Sequence, residues 1–334
     1  MHIMLLIYSI VVLTVFLGPH TYFGELFISF LPYHGLILFF LVLVSCYSYK
    51  QRRYKIFWII SMIIGISTAW YTNYQRTSFY DNTNFNKQEN YGETNEEVGL
   101  TFFFANVLKS NKDYEGIQAT IEQLDPDVVL LSEYKQHHHD NLKDFFGQEY
   151  KYVNRIIGEQ DIVGNVIFSK YPLEDFAPKI YQEARRYWYV AVTHEGKNYY
   201  FYHVHTSAPV SEAFWLNRKE QLSKFTNSFI EQDLQRLPED RVVLVGDFNV
   251  TPWSPDFKKF NREISKTMVH FSKFTPLLTT RGFGIFNKKL EDLLQHAVRA
   301  HIDHLWINKQ TTFYHIKVIE IPGSDHDGLY ARIK

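Results

Sequence analysis

Residues Val242 to Pro252 read VVLVGDFNVTP. A short apolar run bounded by Gly and polar residues suits a buried strand. The run stops abruptly at Gly246, with Asp247 and Asn249 following and Pro252 beyond. Two readings of that stop compete. Gly, Asp and Asn favour turns for local reasons, because an Asx side chain can close on its own backbone. Alternatively, a carboxylate and a carboxamide at a strand end converge on a ligand. Two residues apart in an extended segment, they would point to the same side and address one water molecule.

The rest of the chain decides between these readings. From Val98 onward, short apolar runs alternate with helical stretches. VGLTFFFANVL predicts a strand, EGIQATIEQL an amphipathic helix and DVVLLSEY a second strand. IVGNVIFS, YWYVAVT and NYYFYHVH follow as strands, then a long helix around Trp215 to Gln235, then RVVLVGDFN. HIDHLWI, FYHIKVIEI and GLYARI close the series. Several strands are consecutive and closely linked, which predicts mixed or antiparallel sheets flanked by helices. Residues 98–334 are long enough to bury a sizeable core.

Composition bounds the partners. The chain has 334 residues, 35 Lys and Arg, 36 Asp and Glu, and one cysteine, Cys46, so it has no internal disulfide framework. Residues 1–70 carry only Glu25, Lys50, Arg52, Arg53 and Lys55 of the charged set, leaving 31 basic and 35 acidic residues beyond them. A net charge of −4 there gives no support for broad nucleic-acid affinity through phosphate neutralisation.

Residues 1–70 read as a transmembrane anchor of about three helices: Met4 to Leu17, Leu26 to Tyr47 and Ile56 to Trp70. The first and third are short against the roughly 20 residues a span needs. A signal peptide is the competing reading of the first, but it has no basic start and no small-residue cleavage site. The cluster KQRRYK, Lys50 to Lys55, predicts a cytoplasmic loop, which places everything after Trp70 outside the cytoplasm. Residues 71–97 are polar and aperiodic and read as a linker to the domain at 98–334.

Polar residues recur at the ends of the predicted strands. Asn106 ends LTFFFAN, Glu133 ends DVVLLSE, and His203 and His205 end YYFYHVH. Asp303 lies in HIDHLWI, and Asp325 and His326 precede the last strand. A lone Glu at a strand end is ordinarily a solvated boundary residue. With Asp247 and Asn249, six such ends together point to a site, and carboxylates with amide oxygens suit Mg²⁺ or Mn²⁺ rather than zinc.

The ordered set FFFAN, VVLLSEY, GNVIFSKYP, HVHTSAP, VGDFNVTP, IDHLWI, GSDHDGLY resembles the endonuclease/exonuclease/phosphatase superfamily, in a membrane-anchored bacterial form. Its members include apurinic endonucleases, DNase-I-like nucleases, inositol phosphatases and sphingomyelinases. The resemblance implies an α/β four-layer αββα sandwich of two mixed sheets. It also implies a Mg²⁺- or Mn²⁺-dependent phosphoesterase that hydrolyses phosphodiesters with an activated water, on nucleic acid or phospholipid. On the resemblance, Glu133 is a metal ligand with Asn106 beside it, and Asp325 is a further metal-site residue. His326 contacts the scissile phosphate and Asp303 orients it. Asp247 and Asn249 hold or activate the attacking water. His205 binds phosphate or protonates the leaving group, and Asn165 is a substrate-side position. A catalytically inactive scaffold that keeps the fold, or a phosphomonoesterase, is the alternative. With this set in place, the strand-end site is favoured over a plain turn at Gly246 to Asn249.

Some features stay outside that assignment. His203 reads as structural, and His304, adjacent to Asp303 in a strand, reads as core or surface. The run His137 to His139 reads as a solvated helix start. Arg185 to Trp188 admits pairing with a phosphate-bearing substrate or an edge strand with a partly buried Trp, and Thr279 to Lys289 admits contact with substrate or membrane or a plain surface loop.

Overall fold

Why the polar strand ends meet follows from how the strands pair. In the computed structural model, β1 (Leu100–Asn106) and β2 (Val128–Ser132) pair in parallel, with Asn106 beside Ser132. In the second sheet β7 (Lys197–His205) and β8 (Arg241–Asp247) do the same, with His205 beside Asp247. Parallel pairing brings C-terminal ends together at one edge. Antiparallel partners then begin where those strands end. β10 (Asp303–Asn308) starts with Asp303 opposite Asp247, and β12 (Asp327–Ile333) starts level with the end of β1.

The structure describes residues 21–30, 33–34, 37, 99–154, 164–175, 187–230, 241–270, 299–308, 311 and 313–334. Two six-stranded mixed sheets result, completed by β3 (Tyr152–Val153), β4 (Val166–Ser169), β5 (Leu173–Asp175), β6 (Tyr187–His194), β9 (Met268–His270) and β11 (Phe313–Glu320). Their orders are β11-β12-β1-β2-β4-β3 and β5-β6-β7-β8-β10-β9. The short strands β3, β5 and β9 have too few residues to show alternation in sequence.

The sheets stack face to face. Phe102, Phe104, Val128 and Leu130 of the first meet Phe201, Val243, Val245 and Leu305 of the second. Alternate residues point the other way. Phe103, Ala105, Val129 and Leu131 pack on α2 (Tyr114–Leu124) and α3 (Gln136–Glu149). Tyr202, Leu244 and Trp306 pack on α4 (Glu212–Ser228) and α5 (Pro255–Ile264). Strands buried on both faces read as continuous apolar runs, as LTFFFAN and VVLLS do. The result is the four-layer arrangement of an α/β DNase-I-like fold.

α3 begins at the triple histidine, but not as a solvated start. His138 is buried and its Nδ1 accepts the Lys135 amide at 3.0 Å, so the imidazole caps the helix.

The expected spans and the linker at 71–97 lie outside the described residues except for α1 (Tyr22–Ser29) and a few positions after it. Arg185, Arg186 and the stretch Thr279 to Lys289 lie outside them as well. Among the described residues no helix is long and apolar enough to cross a membrane. α1 packs against the sandwich: Ile28 and Glu25 are buried, and the Ser29 carbonyl accepts Trp253 Nε1 at 2.9 Å. The first residues of the expected second span, Leu26 to Ser29, therefore belong to a docked helix.

Candidate active site

At Gly246, one residue before the end of β8, the backbone leaves no room for a side chain. Gly246 has φ +157°, and a Cβ on it would lie 1.8 Å from the Val204 carbonyl oxygen of the parallel neighbour. The chain then bends rather than extending. Asn249 is left-handed, φ +49°, and its amide donates to Asp247 Oδ1 at 2.9 Å, closing an Asx turn. This corrects the premise of an extended segment. Asp247 and Asn249 converge because of a turn, and the turn is part of the site. The Asn249 side-chain nitrogen donates to the Thr206 carbonyl at 2.9 Å, which ties the end of β8 to the residue after His205.

On the facing sheet, Glu133 is also left-handed, φ +60°, just past β2. Residues held at positive φ cost of order 1 kcal/mol or more and cluster at functional sites. The conformation is held from outside, since the Tyr134 amide donates to the Gly164 carbonyl at 2.9 Å. A Cβ on Gly164 would meet that amide nitrogen at 2.7 Å.

Asn106 bridges the two sheets. Its Nδ2 lies 3.4 Å from Glu133 Oε1 and 3.1 Å from Asp247 Oδ2, while its Oδ1 accepts the Leu108 amide at 3.0 Å. The amide orientation follows from this network. Asn106 thus offers an N–H to both carboxylates and links Glu133 to Asp247. His205 Nε2 stands 3.9 Å from Glu133 Oε1 and 3.8 Å from Asp247 Oδ2.

His326 completes the group. Its Nδ1 lies 2.8 Å from Asp303 Oδ2 and its Nε2 3.8 Å from Asp247 Oδ2. Asp247, Asp303 and His326 each place one ligand-type atom within 4.8 Å of the others. The 2.8 Å contact is a hydrogen bond, so this trio is better suited to holding a proton than a cation. Ser324, which sequence reasoning passed over although it stands in GSDH, donates to the Asn106 carbonyl at 2.7 Å and accepts the His326 amide at 3.0 Å.

Electrostatics follow from this crowding. Burial pushes the Asp247 carboxyl up to about 8, and the Asp303 charge adds to the push. For His326, burial favours the neutral ring, but the Asp303 charge and hydrogen bond outweigh it and raise the imidazolium to about 10. Burial also raises Asp325, against the pull of His326. Glu133 differs: burial would raise it, but the Lys109 amide at 2.9 Å and the His205 charge hold it below the ordinary range.

A divalent cation fits beside Glu133. Glu133 is an ionised hard oxygen donor, and Asp325 Oδ1 is buried with no hydrogen-bond partner. Asn165 is fully buried one residue before β4, and both its polar side-chain atoms are unpartnered. Of the nine sequence-predicted residues, Asn106, Glu133, His205, Asp247, Asp303 and His326 are joined by contacts, and Asp325 adjoins His326 and acts on Glu133 by charge. Asn249 supports from the turn, and Asn165 has no polar contact to the group.

Two neighbours support the site through contacts whose partners the chain did not reveal. His203 Nε2 meets Ser132 Oγ at 2.9 Å, linking the sheets beneath the site. Arg218 of α4 is fully buried; its Nη1 donates to the Asn249 carbonyl at 2.5 Å and its Nη2 to Glu25 Oε1 at 2.7 Å. A lone Arg in a helix among Trp and Leu carries no sequence signal for either contact.

Two facing mixed sheets with carboxylate, amide and imidazole groups gathered at one rim define a DNase-I-like phosphoesterase architecture. Residues 102–326 match the model of the Endonuclease/Exonuclease/phosphatase family, and the chain belongs to that family. The fold is similar to that of TDP2 from D. rerio complexed with a single-strand DNA product, with TM-score 0.54 and 18% identity over 71% of this chain and 100% of that one. It is likewise similar to truncated Caenorhabditis elegans TDP2, with TM-score 0.50 and 14% identity over 71% of this chain and 97% of that one. No curated protein matches the chain. Family membership makes this chain a phosphoric ester hydrolase of the nuclease and phosphodiesterase class.

Proposed function

We propose that the chain is a membrane-anchored phosphodiesterase that requires Mg²⁺ or Mn²⁺, with its catalytic domain outside the cytoplasm. The observation that carries the catalytic reading is the 2.8 Å Asp303–His326 pair standing 3.8 Å from Asp247, with Asn106 linking Asp247 to Glu133. The anchor rests on the apolar stretches of residues 1–70, and the sidedness on Lys50 to Lys55.

Glu133 and Asp325 would hold the cation, with Asn106 fixing the Glu133 carboxylate. There it would offset charge developing on the non-bridging and leaving oxygens. Asp247, restrained by the Asn249 amide and Asn106, accepts a hydrogen bond from the attacking water and takes its proton. The Asp303 carboxylate fixes the His326 ring so that Nε2–H faces the phosphate oxygens as a cationic donor. His205 reaches the same space from the other strand and protonates the departing oxygen or binds phosphate. Asn165, whose buried amide has no hydrogen-bond partner, is assigned the substrate-side position on the family pattern alone.

The full chain in detergent, assayed on bis(4-nitrophenyl) phosphate with Mg²⁺ or Mn²⁺, tests the reading. The full chain is needed because Glu25 pairs Arg218. Turnover that EDTA abolishes and Asp247→Ala removes is the expected result. Turnover indifferent to both would sink it.

A further inference from the structure

α1 is joined to the loops that carry the site. Tyr22 donates its hydroxyl to the Pro209 carbonyl at 3.2 Å, and Pro209 lies in the loop that follows His205. Glu25 binds Arg218, which holds the Asn249 carbonyl. Trp253, just past the Asx turn, donates to the Ser29 carbonyl at 2.9 Å, and Tyr33 donates to the Arg299 carbonyl at 2.6 Å ahead of β10. The N-terminal segment therefore touches the chain after β7, after β8 and before β10, the three strands that supply His205, Asp247 and Asp303.

Around the Tyr22–Pro209 contact the described residues expose several large apolar side chains. Phe23 is 78% exposed and Val210 75%, with Phe214 and Leu216 exposed on either side of the buried Trp215. Tyr22 lies against both Phe23 and Trp215, at ring separations of 5.3 and 6.3 Å. These four make up half of the large exposed hydrophobic residues among the described residues. Phe23 and Val210, on the two sides of the Tyr22–Pro209 contact, share one docking surface. Lys219 caps it, its Nζ 4.4 Å from the Trp215 ring.

We propose that this surface rests on the lipid bilayer and that the site draws its phosphodiester from a membrane lipid headgroup; the second half rests on the phosphodiesterase reading above. Chain length places the occupant. Phe23 is six residues beyond Leu17, where one apolar stretch ends, so it lies within about 20 Å of that stretch. Past Ser29, where α1 ends, the apolar composition resumes and runs to Tyr47. A helix between two such stretches is held at the membrane surface, and aromatic residues with a lysine at the edge suit the headgroup boundary. Val210 follows His205 by five residues, at most about 18 Å of chain, so a rim seated at that boundary holds the mouth of the site at headgroup depth. The loop leaves the site from a fixed point, because Thr206 donates its amide to the Asp247 carbonyl at 3.0 Å and Asn249 holds the Thr206 carbonyl.

The full chain with Cys46→Ser, reconstituted in phosphatidylcholine–phosphatidylglycerol nanodiscs, carries an environment-sensitive fluorophore at Val210→Cys or, as control, at Val318→Cys. Spin-labelled lipid is expected to quench the first and spare the second. Equal quenching at both, or none at Val210, overturns the seating; a blue shift at Val210 without lipid quenching does so by pointing to a protein neighbour instead. Phe23→Ser with Phe214→Ser is expected to lower hydrolysis of nanodisc phospholipid at least tenfold and leave bis(4-nitrophenyl) phosphate turnover unchanged. Loss on both substrates, or on neither, overturns the lipid-substrate assignment, as does native turnover of the soluble ester alone. If native protein cleaves neither substrate, the phosphodiesterase reading and the lipid-substrate assignment fall together, and the quenching still decides the seating.

Discussion

Asp303 Oδ2 lies 2.8 Å from Nδ1 of His326, and both residues are buried, so the far nitrogen of the ring is aimed at Asp247 3.8 Å away. Asp303→Asn keeps the shape and removes the charge. The expected outcome is a fall in kcat of about 10² to 10⁴ with KM nearly unchanged. Asp303 is also what raises His326 to about 10. The protonated ring dominates below that value, so the wild-type alkaline limb lies high, and in the variant it moves toward neutrality. A pH–rate profile of both proteins checks this.

Arg218→Met leaves the Glu25 carboxylate buried without its partner and should cost about 3–5 kcal/mol in urea unfolding. Adding Glu25→Leu should restore much of that stability. Activity should stay low in the double variant, because the Asn249 carbonyl has lost its donor. Recovery of both would show that Arg218 positions nothing.

Gly246→Ala forces a methyl against the Val204 carbonyl, which must part β7 from β8. A loss of more than about 3 kcal/mol is expected. Gly147→Ala is the contrast. It lies in α3 with nothing within 4 Å of the added methyl, and should stabilise by about 0.4–1 kcal/mol. Parallel denaturation curves decide.

Stability should also fall in mild acid. Burial lowers His304 to about 4, and His270 well below its ordinary value; for His138, burial and the His137 charge lower it to about 4. Unfolded, each would take a proton near 6.5. Their contribution is therefore full above pH 6.5 and lost as pH falls toward 4, on the order of 3 kcal/mol for His304. His304→Leu should flatten part of that slope, at the cost of leaving the Val250 carbonyl and His270 without their partner at pH 7.5. Melting temperatures between pH 4 and 8 report it.

The chemistry-bearing residues and their order along the chain were readable without coordinates. So were the long strands, because apolar runs such as LTFFFAN and VVLVG carry their own punctuation in Gly, Asp and Asn. The resemblance carried by those motifs extended to the sandwich. What the sequence could not determine is where side chains point once the backbone leaves regular structure. Asp247 and Asn249 meet through an Asx turn at positive φ, and no period-2 argument holds across a left-handed residue. Asn106 faces the carboxylates with nitrogen because the Leu108 amide, two residues on, occupies its oxygen. Only the tertiary structure brought Glu25 to Arg218, 193 positions away, since burying that guanidinium required an acid from a segment whose own composition spoke of membrane. Local pattern reports what a residue is and which strand it ends; the pairing of buried charges and the exposure of Phe23 beside Val210 are decided by which surfaces the folded chain lays together.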